Sequence, residues 1–284
     1  MKRIKVKNKT AFAIIISVSI LLFAVIVALI IHGNVTVKAT EIKIESKKIP
    51  EAFSGFRIAH VSDLHNSEFG KDNEKLLEMI KEASPDIIVV TGDLIDSYHT
   101  NVDISANFLN KAADIAPCYY VRGNHERRIP EEYAELLSKI ENENIHIMEN
   151  ERVTLEKDGE AVSLIGMDDY NYENSDLLPD LKALCDETED YKIVLSHKPD
   201  FFEDYSESGA DLVLCGHAHG GQFILPFIGG VLAPGQGWFP EYTEGLYRIN
   251  ETAMIVSRGL GNSIFPFRIN NYPQLVIVEL SGEK

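Results

Sequence analysis

Cysteine is scarce in this chain of 284 residues. Only Cys118, Cys185 and Cys215 occur, without paired spacing and in an odd number. That argues against a disulfide framework and against a zinc site built on spaced thiolates. Cys118 and Cys215 lie inside apolar, strand-like runs and read as small buried hydrophobes. Positive charge is short as well, with 27 Lys and Arg against 44 Asp and Glu. Five of those cations, Lys2, Arg3, Lys5, Lys7 and Lys9, sit in the first ten residues, so the remainder carries 22 against 44. Duplex nucleic acid is a poor match for such a body, because its binding depends on Lys and Arg neutralising phosphates. Internal repeats and low-complexity segments are missing too. With 45% hydrophobic and 25% charged residues the composition is that of an ordinary globular chain, long enough for one large α/β domain.

Acidic residues are absent from positions 1–40, and Ala11 to Ile31 carries no charge at all. As a helix this stretch rises about 31 Å, close to the hydrocarbon thickness of a bilayer. A secretory signal has a shorter apolar region, so the segment reads as an uncleaved anchor although Val37-Lys38-Ala39 offers a weak cleavage site. The expected organisation is a basic tail at 1–10, a transmembrane anchor at 11–31, a stalk and entry segment at 32–54, and the main domain at 55–284. Five cations before the span against Lys38, Lys43, Lys47 and Lys48 after it favour a single-pass membrane protein with its domain outside the cytoplasm.

Short apolar runs then alternate with amphipathic stretches. Residues 57–62, 87–91, 119–122, 162–166, 192–196 and 211–215 read as buried strands, and 75–83, 106–113 and 131–140 as surface helices. Such crossover units imply a mainly parallel or mixed sheet. Past residue 241 the runs 245–249, 253–257 and 275–280 have no helix between them and are expected to add antiparallel strands. Residues 218–240 are rich in Gly and Pro yet apolar, which requires a loop that packs down or touches an acyl chain or bilayer.

Five polar clusters end the predicted strands: Asp63-Leu64-His65, Gly92-Asp93-Leu94-Ile95-Asp96, Gly123-Asn124-His125-Glu126, Ser196-His197 and Gly216-His217-Ala218-His219. Ligands in open α/β sheets bind outside the carboxyl ends of strands, so the clusters are placed to share one crevice. Residues two apart in an extended segment, as Asp63 with His65 and His217 with His219, point to the same face. Imidazole, carboxylate and amide oxygen form a mixed nitrogen and oxygen donor set suited to Zn, Mn or Fe. Each cluster alone has an ordinary structural explanation, a turn, a cap or a core histidine. Five of the nine histidines at strand ends in this order do not.

This ordered set resembles the calcineurin-like metallophosphoesterases, from about residue 55 to the C-terminus. The anchor, Gly216-His217-Ala218-His219-Gly220-Gly221-Gln222 and Ser257-Arg258-Gly259-Leu260-Gly261 are most similar to a bacterial membrane-associated branch of phosphodiesterases, which includes enzymes hydrolysing UDP-2,3-diacylglucosamine. The resemblance implies a four-layer α/β/β/α sandwich, here preceded by one N-terminal transmembrane helix, and two divalent metal ions, Mn2+, Zn2+ or Fe2+/Fe3+. It implies that Asp63, His65 and His219 hold one ion, that Asn124, His197 and His217 hold the other, and that Asp93 bridges both. His125 is then the histidine beside the leaving group, and Asp96 orients a ligand or a loop. The family usually has Asp after Gly-Asn-His, where this chain has Glu126.

The expected reaction is hydrolysis of a phosphodiester or phosphoanhydride by a hydroxide held between the metals, on a lipid-linked or envelope substrate such as UDP-2,3-diacylglucosamine. Arg258, in a Gly-rich setting, is the candidate substrate-phosphate ligand, ahead of Arg122, Arg127 and Arg128. Phosphomonoester hydrolysis on phosphoproteins or small metabolites is the alternative, and a non-catalytic metal-stabilised binding protein is the alternative of another class. No obligate protein partner is implied.

Overall fold

The computed structural model describes residues 3–169 and 177–283. Helix α1 (Arg3–Val35) contains the predicted span. Within its stretch Ala11–Val35 an 18-residue window has mean hydropathy 3.3 and no buried residue, and the stretch is long and apolar enough to cross a membrane.

The next strand, β1 (Lys38–Ser46), falls within the segment expected to be a stalk. It pairs in parallel with the C-terminal strand from Lys38 opposite Gln274 to Ser46 opposite Gly282. Ile44 within it, and Ile49 and Phe53 after it, are buried. The folded domain therefore starts near residue 38 rather than 55. An edge strand keeps one face in water, so the polar positions of Lys38–Ser46 hide its pairing in the sequence.

The chain continues through β2 (Arg57–Val61), α2 (Glu74–Glu82), β3 (Ile87–Thr91), α3 (Val102–Ala113), β4 (Cys118–Val121), α4 (Asn124–Arg128), α5 (Pro130–Ser138) and β5 (Ile145–Ile147). Then come β6 (Glu151–Lys157), β7 (Glu160–Gly166), α6 (Leu177–Cys185), β8 (Tyr191–Leu195), α7 (Phe202–Ser208) and β9 (Leu212–Cys215). Segment 218–240 holds two small hairpins, β10 (Ile224–Leu225) with β11 (Gly229–Gly230), and β12 (Leu232–Ala233) with β13 (Gly237–Trp238). Strands β14 (Gly245–Ile249), β15 (Thr252–Val256) and β16 (Gln274–Gly282) follow.

Two six-stranded mixed sheets result, ordered β1-β16-β2-β3-β4-β5 and β14-β15-β9-β8-β7-β6. The last three strands are less uniform than the expected antiparallel set. β14 and β15 pair antiparallel, but β15 runs parallel to β9, and β16 crosses to the other sheet between β1 and β2. Side-chain alternation explains the uninterrupted apolar runs. Along β3, Ile88 and Val90 join Leu76 and Ile80 of α2 and Phe108 of α3, whereas Ile87 and Val89 join Ile193, Leu214 and Ile255 of the opposite sheet. On the far side Val194 and Val213 pack with Leu181 of α6 and with Phe202 and Tyr205 of α7. Helices, sheet, sheet and helices make the four layers of an α/β/β/α sandwich. All three cysteines are buried free thiols within it.

Candidate metal centre

Strands β2, β3 and β4 are mutually parallel, as are β8 and β9, so the loops after them leave common edges of the two facing sheets. Those loops carry the five polar clusters. Their backbone is unusual: Asp63, His65, Asp93, His217 and His219 all have left-handed φ, between 46° and 67°. Asp and His tolerate that region better than most residues, and strain of this kind concentrates at functional sites. The neighbouring glycines serve different ends. Gly92 has φ 86°, which requires glycine. Gly123 is extended, and a Cβ there would meet the backbone N of Asp93 at 2.6 Å. Close approach, not a sharp turn, makes it necessary.

The side chains gather into two trios. Ligand atoms of Asp63, His65 and His219 lie within 4.8 Å of one another, as do those of Asp93, His197 and His217. His65 joins a further such group with Asp96 and His125. Asp93, of the second trio, also faces the first, its Oδ2 3.1 Å from His197 Nε2 and 3.7 Å from His65 Nε2. Asn124 Oδ1 is 3.2 Å from His197 Nε2. All seven residues assigned as ligands by resemblance are buried.

Two features test whether cations fit. First, ring nitrogens face one another: His65 Nε2 is 3.3 Å from His219 Nε2, and His217 Nδ1 is 3.1 Å from His197 Nε2. His197 Nδ1 donates to the Thr91 carbonyl at 2.7 Å, which turns Nε2 toward Asp93, Asn124 and His217. A cation would meet these converging nitrogen and oxygen donors together. Second, the local field favours positive charge. Burial opposes protonation of His197, yet Asp93 and then Asp63 push it up to about 10. Burial also resists ionisation of Asp93, but the charge of His197 and its hydrogen bond hold that carboxylate well below the usual range. Burial lowers His65, His217 and His219, keeping them in the neutral form that ligates. The donor set fits two divalent ions, and nitrogen with oxygen and no sulfur suits borderline or hard metals.

His125 lies at the edge of this group. Its backbone N–H donates to Asp93 Oδ1 at 2.8 Å, and its Nδ1 accepts from the Ser97 N–H at 2.9 Å. An N–H can only donate, so the proton of the neutral ring is on Nε2, which is 3.2 Å from Ser263 Oγ. Burial keeps the ring below its ordinary pKa. Asp96 accepts from the Tyr98 N–H at 2.7 Å, and its carboxylate is 3.7 Å from His125 Nδ1. A cavity of about 210 Å³ opens here, with Asp93, Asn124, His125, His217 and His219 on its floor. Arg128 lines the cavity, whereas Arg258 is not among its lining residues and turns its guanidinium to Glu244. Arg122 and Arg127 are engaged by Asp168 and Asp169.

Other residues of the site carry no sequence signal. Ser97 and Ser263 are single hydroxyl residues in loops. Arg268 is the largest fully buried side chain, bonded to the carbonyls of Arg258 and Gly261 and to Asn262 Oδ1, with one nitrogen 3.3 Å from His219 Nδ1. Glu126 ties two of the loops together. Its carboxylate accepts the backbone N–H groups of Asp93, Ile95 and Gly123, each at 2.9 Å. Burial and then the Asp93 charge push this carboxyl up to about 7, and the N–H donors oppose that shift. Glu126→Gln replaces one acceptor with a donor facing an N–H, so the loops bearing Asp93 and Asn124 must move apart. Residues that orient ligands typically matter by about 10–100-fold in metal affinity, and that loss is expected here by chelator competition. Unchanged affinity would remove Glu126 from the centre.

A family model described as calcineurin-like phosphoesterase matches residues 56–221. The chain is 32% identical over 258 residues to the metallophosphoesterase YkuE of Bacillus subtilis, covering 87% of this chain and 86% of that one. It is 28% identical over 234 residues to the phosphodiesterase YaeI of Escherichia coli, covering 79% and 82%. Among solved structures, TT1561 of Thermus thermophilus superposes with TM-score 0.51 at 14% identity, over 73% of this chain and 91% of that one, which speaks to the fold alone.

Proposed function

The chain belongs to the calcineurin-like phosphoesterase family, and from that premise we propose that it is a membrane-anchored phosphodiesterase acting on a substrate with an apolar portion beside its phosphate. Phosphoester hydrolysis with a dinuclear metal site is the family's chemistry. The finer reading rests on one observation: the polar floor of the cavity is walled by Leu232, Ala233, Pro234, Ile264 and Phe265. A lipid-linked phosphodiester or phosphoanhydride has that division of character. A small phosphorylated metabolite does not.

In this reading Asp63, His65 and His219 hold one ion, Asn124, His197 and His217 the other, and Asp93 lies between them. Bound metals would lower the pKa of water and neutralise charge on the phosphoryl oxygens. Water adds to phosphorus and releases a proton to solvent, the ester P–O bond breaks, and negative charge develops on the leaving oxygen. His125 presents its Nε2–H to that oxygen as a hydrogen-bond donor. Its Nδ1 is already fixed by the Ser97 N–H, so the ring acts in the neutral form. Arg128 reaches the cavity from α4 and is placed to meet a non-bridging phosphate oxygen. Asp96 holds the 96–100 turn through the Tyr98 N–H and so fixes Ser97 against His125.

The apolar stretch Ala11–Val35 is the proposed anchor. The basic tail before it favours a domain outside the cytoplasm, which protease accessibility in intact cells reads directly. Hydrolysis of bis-p-nitrophenyl phosphate by the full chain is expected to depend on added Mn2+ or Zn2+, to stop on chelation, and to exceed hydrolysis of p-nitrophenyl phosphate in kcat/KM. Diester turnover indifferent to chelation would overturn the metal reading. A preference for the monoester would overturn the diester reading.

A further inference from the structure

The domain exposes its large apolar side chains in one place. Outside α1, and among the described residues, all of them but Tyr98 and Leu246 lie in segments 225–239 and 264–269. Phe227 is fully exposed, and Ile228, Trp238, Phe239 and Ile264 are each at least 60% exposed. In a chain with 44 acidic residues, 218–240 and 259–267 contain no Asp, Glu, Lys or Arg. Transfer of these segments out of water therefore strips no charge of its hydration. The fold also holds them outward against local preference, because Phe227 and Phe239 have left-handed φ of 69° and 56°, a region bulky residues rarely adopt.

The two segments form one surface. Phe223 bridges to Ile269 and packs edge-to-face with Phe265, while Gln222 donates to the Phe267 carbonyl at 2.7 Å. That surface is joined to the end of α1. Asn34 donates to the Arg268 carbonyl at 3.1 Å, and its Oδ1 accepts from the Arg268 N–H at 2.8 Å and from Asn262 at 3.0 Å. Ser263, next to Asn262, touches His125. The apolar helix, the apolar surface and the cavity mouth are thus neighbours, linked by hydrogen bonds within a few residues.

We infer that this surface is a membrane-inserting rim: the tip of the β10–β11 hairpin, Trp238 and Phe239 at the end of β13, and the 264–267 loop dip into the leaflet next to the end of α1, so that the cavity opens onto the bilayer interface. The proposal rests on α1 being the anchor. Continuity with that helix selects lipid over a protein partner, since the helix end and the rim share one face. Exposed apolar patches rimmed by polar surface mark interaction sites, and Trp and Phe favour the interfacial zone of a bilayer.

Trp238 is the chain's one tryptophan, so its fluorescence reports on the rim alone. The full chain is reconstituted in phosphatidylcholine vesicles with or without brominated acyl chains. Brominated lipid is expected to quench Trp238 more strongly than aqueous iodide does. In Phe227→Glu/Ile228→Glu that order is expected to reverse, with bis-p-nitrophenyl phosphate turnover unchanged because neither residue lines the cavity. Quenching by iodide but not by brominated lipid would overturn the proposal. Protection from both quenchers would overturn it too, by assigning the rim to contact between copies of the chain. Resistance to alkaline extraction reads the anchor, and diester turnover reads the phosphoesterase assignment, so failure of either is separable from failure of the rim.

Discussion

Replacing Asp93 with asparagine is expected to lower turnover of bis-p-nitrophenyl phosphate by more than about 100-fold, and to leave at most one of two metal ions bound per chain. Loss of a partner merely supporting a ligand costs about 10–100-fold, and Asp93 stands closer than that. Its Oδ2 faces His197 and His65, which belong to different trios, so its charge is the one shared between the two proposed metal positions. Asparagine is a fair test because little else changes. It keeps an oxygen to accept the His125 N–H now bound by Asp93 Oδ1. It also tolerates the left-handed φ of 54° at this position. What disappears is one negative charge in a fully buried site, where the field of that carboxylate is least screened. Elemental analysis and steady-state kinetics on the same preparation check both halves. Parental turnover in Asp93→Asn would sink the two-metal account.

The interior strands could be read from the sequence because each is buried on both faces and so appears as an unbroken apolar run. Ile87 to Thr91 is the clearest case, with alternate residues packed against helices and against the opposite sheet. The polar clusters stood out because they interrupt such runs at their carboxyl ends, where carboxylates and imidazoles have no reason to be unless they meet something there. β1 failed to stand out for the opposite reason. As an edge strand it needs few apolar residues, and its partner is more than 200 positions away. Arg268 was illegible on similar grounds, since nothing local in Phe267-Arg268-Ile269 distinguishes a fully buried arginine from an exposed one. Its environment is made by Arg258, Gly261, Asn262 and Asn34, brought together only by folding. Arg258 drew attention by its glycine-rich neighbourhood, yet Glu244 takes its guanidinium and Arg128 occupies the cavity wall. Charge type is written in the sequence, whereas the direction a side chain points depends on tertiary partners.

His125→Ala is expected to retain both metals and to lose about 10²–10³-fold in turnover on diesters with alkyl leaving groups, the range for deleting one hydrogen-bond donor to a developing oxyanion. The same variant should lose far less on bis-p-nitrophenyl phosphate, whose leaving group carries its own negative charge well and needs little help. The difference follows from the tautomer. The Ser97 N–H occupies Nδ1 and obliges the neutral ring to hold its proton on Nε2, beside Ser263 at the cavity rim. A ring in that state donates a hydrogen bond that strengthens as charge gathers on the leaving oxygen, and the product alcohol takes its proton from water. His125→Gln, which restores an N–H donor but cannot act as an acid, is therefore expected to recover part of the activity that alanine loses. Equal losses for alanine and glutamine would assign His125 to full proton transfer instead. Equal losses on alkyl and p-nitrophenyl diesters would place His125 away from the leaving oxygen altogether.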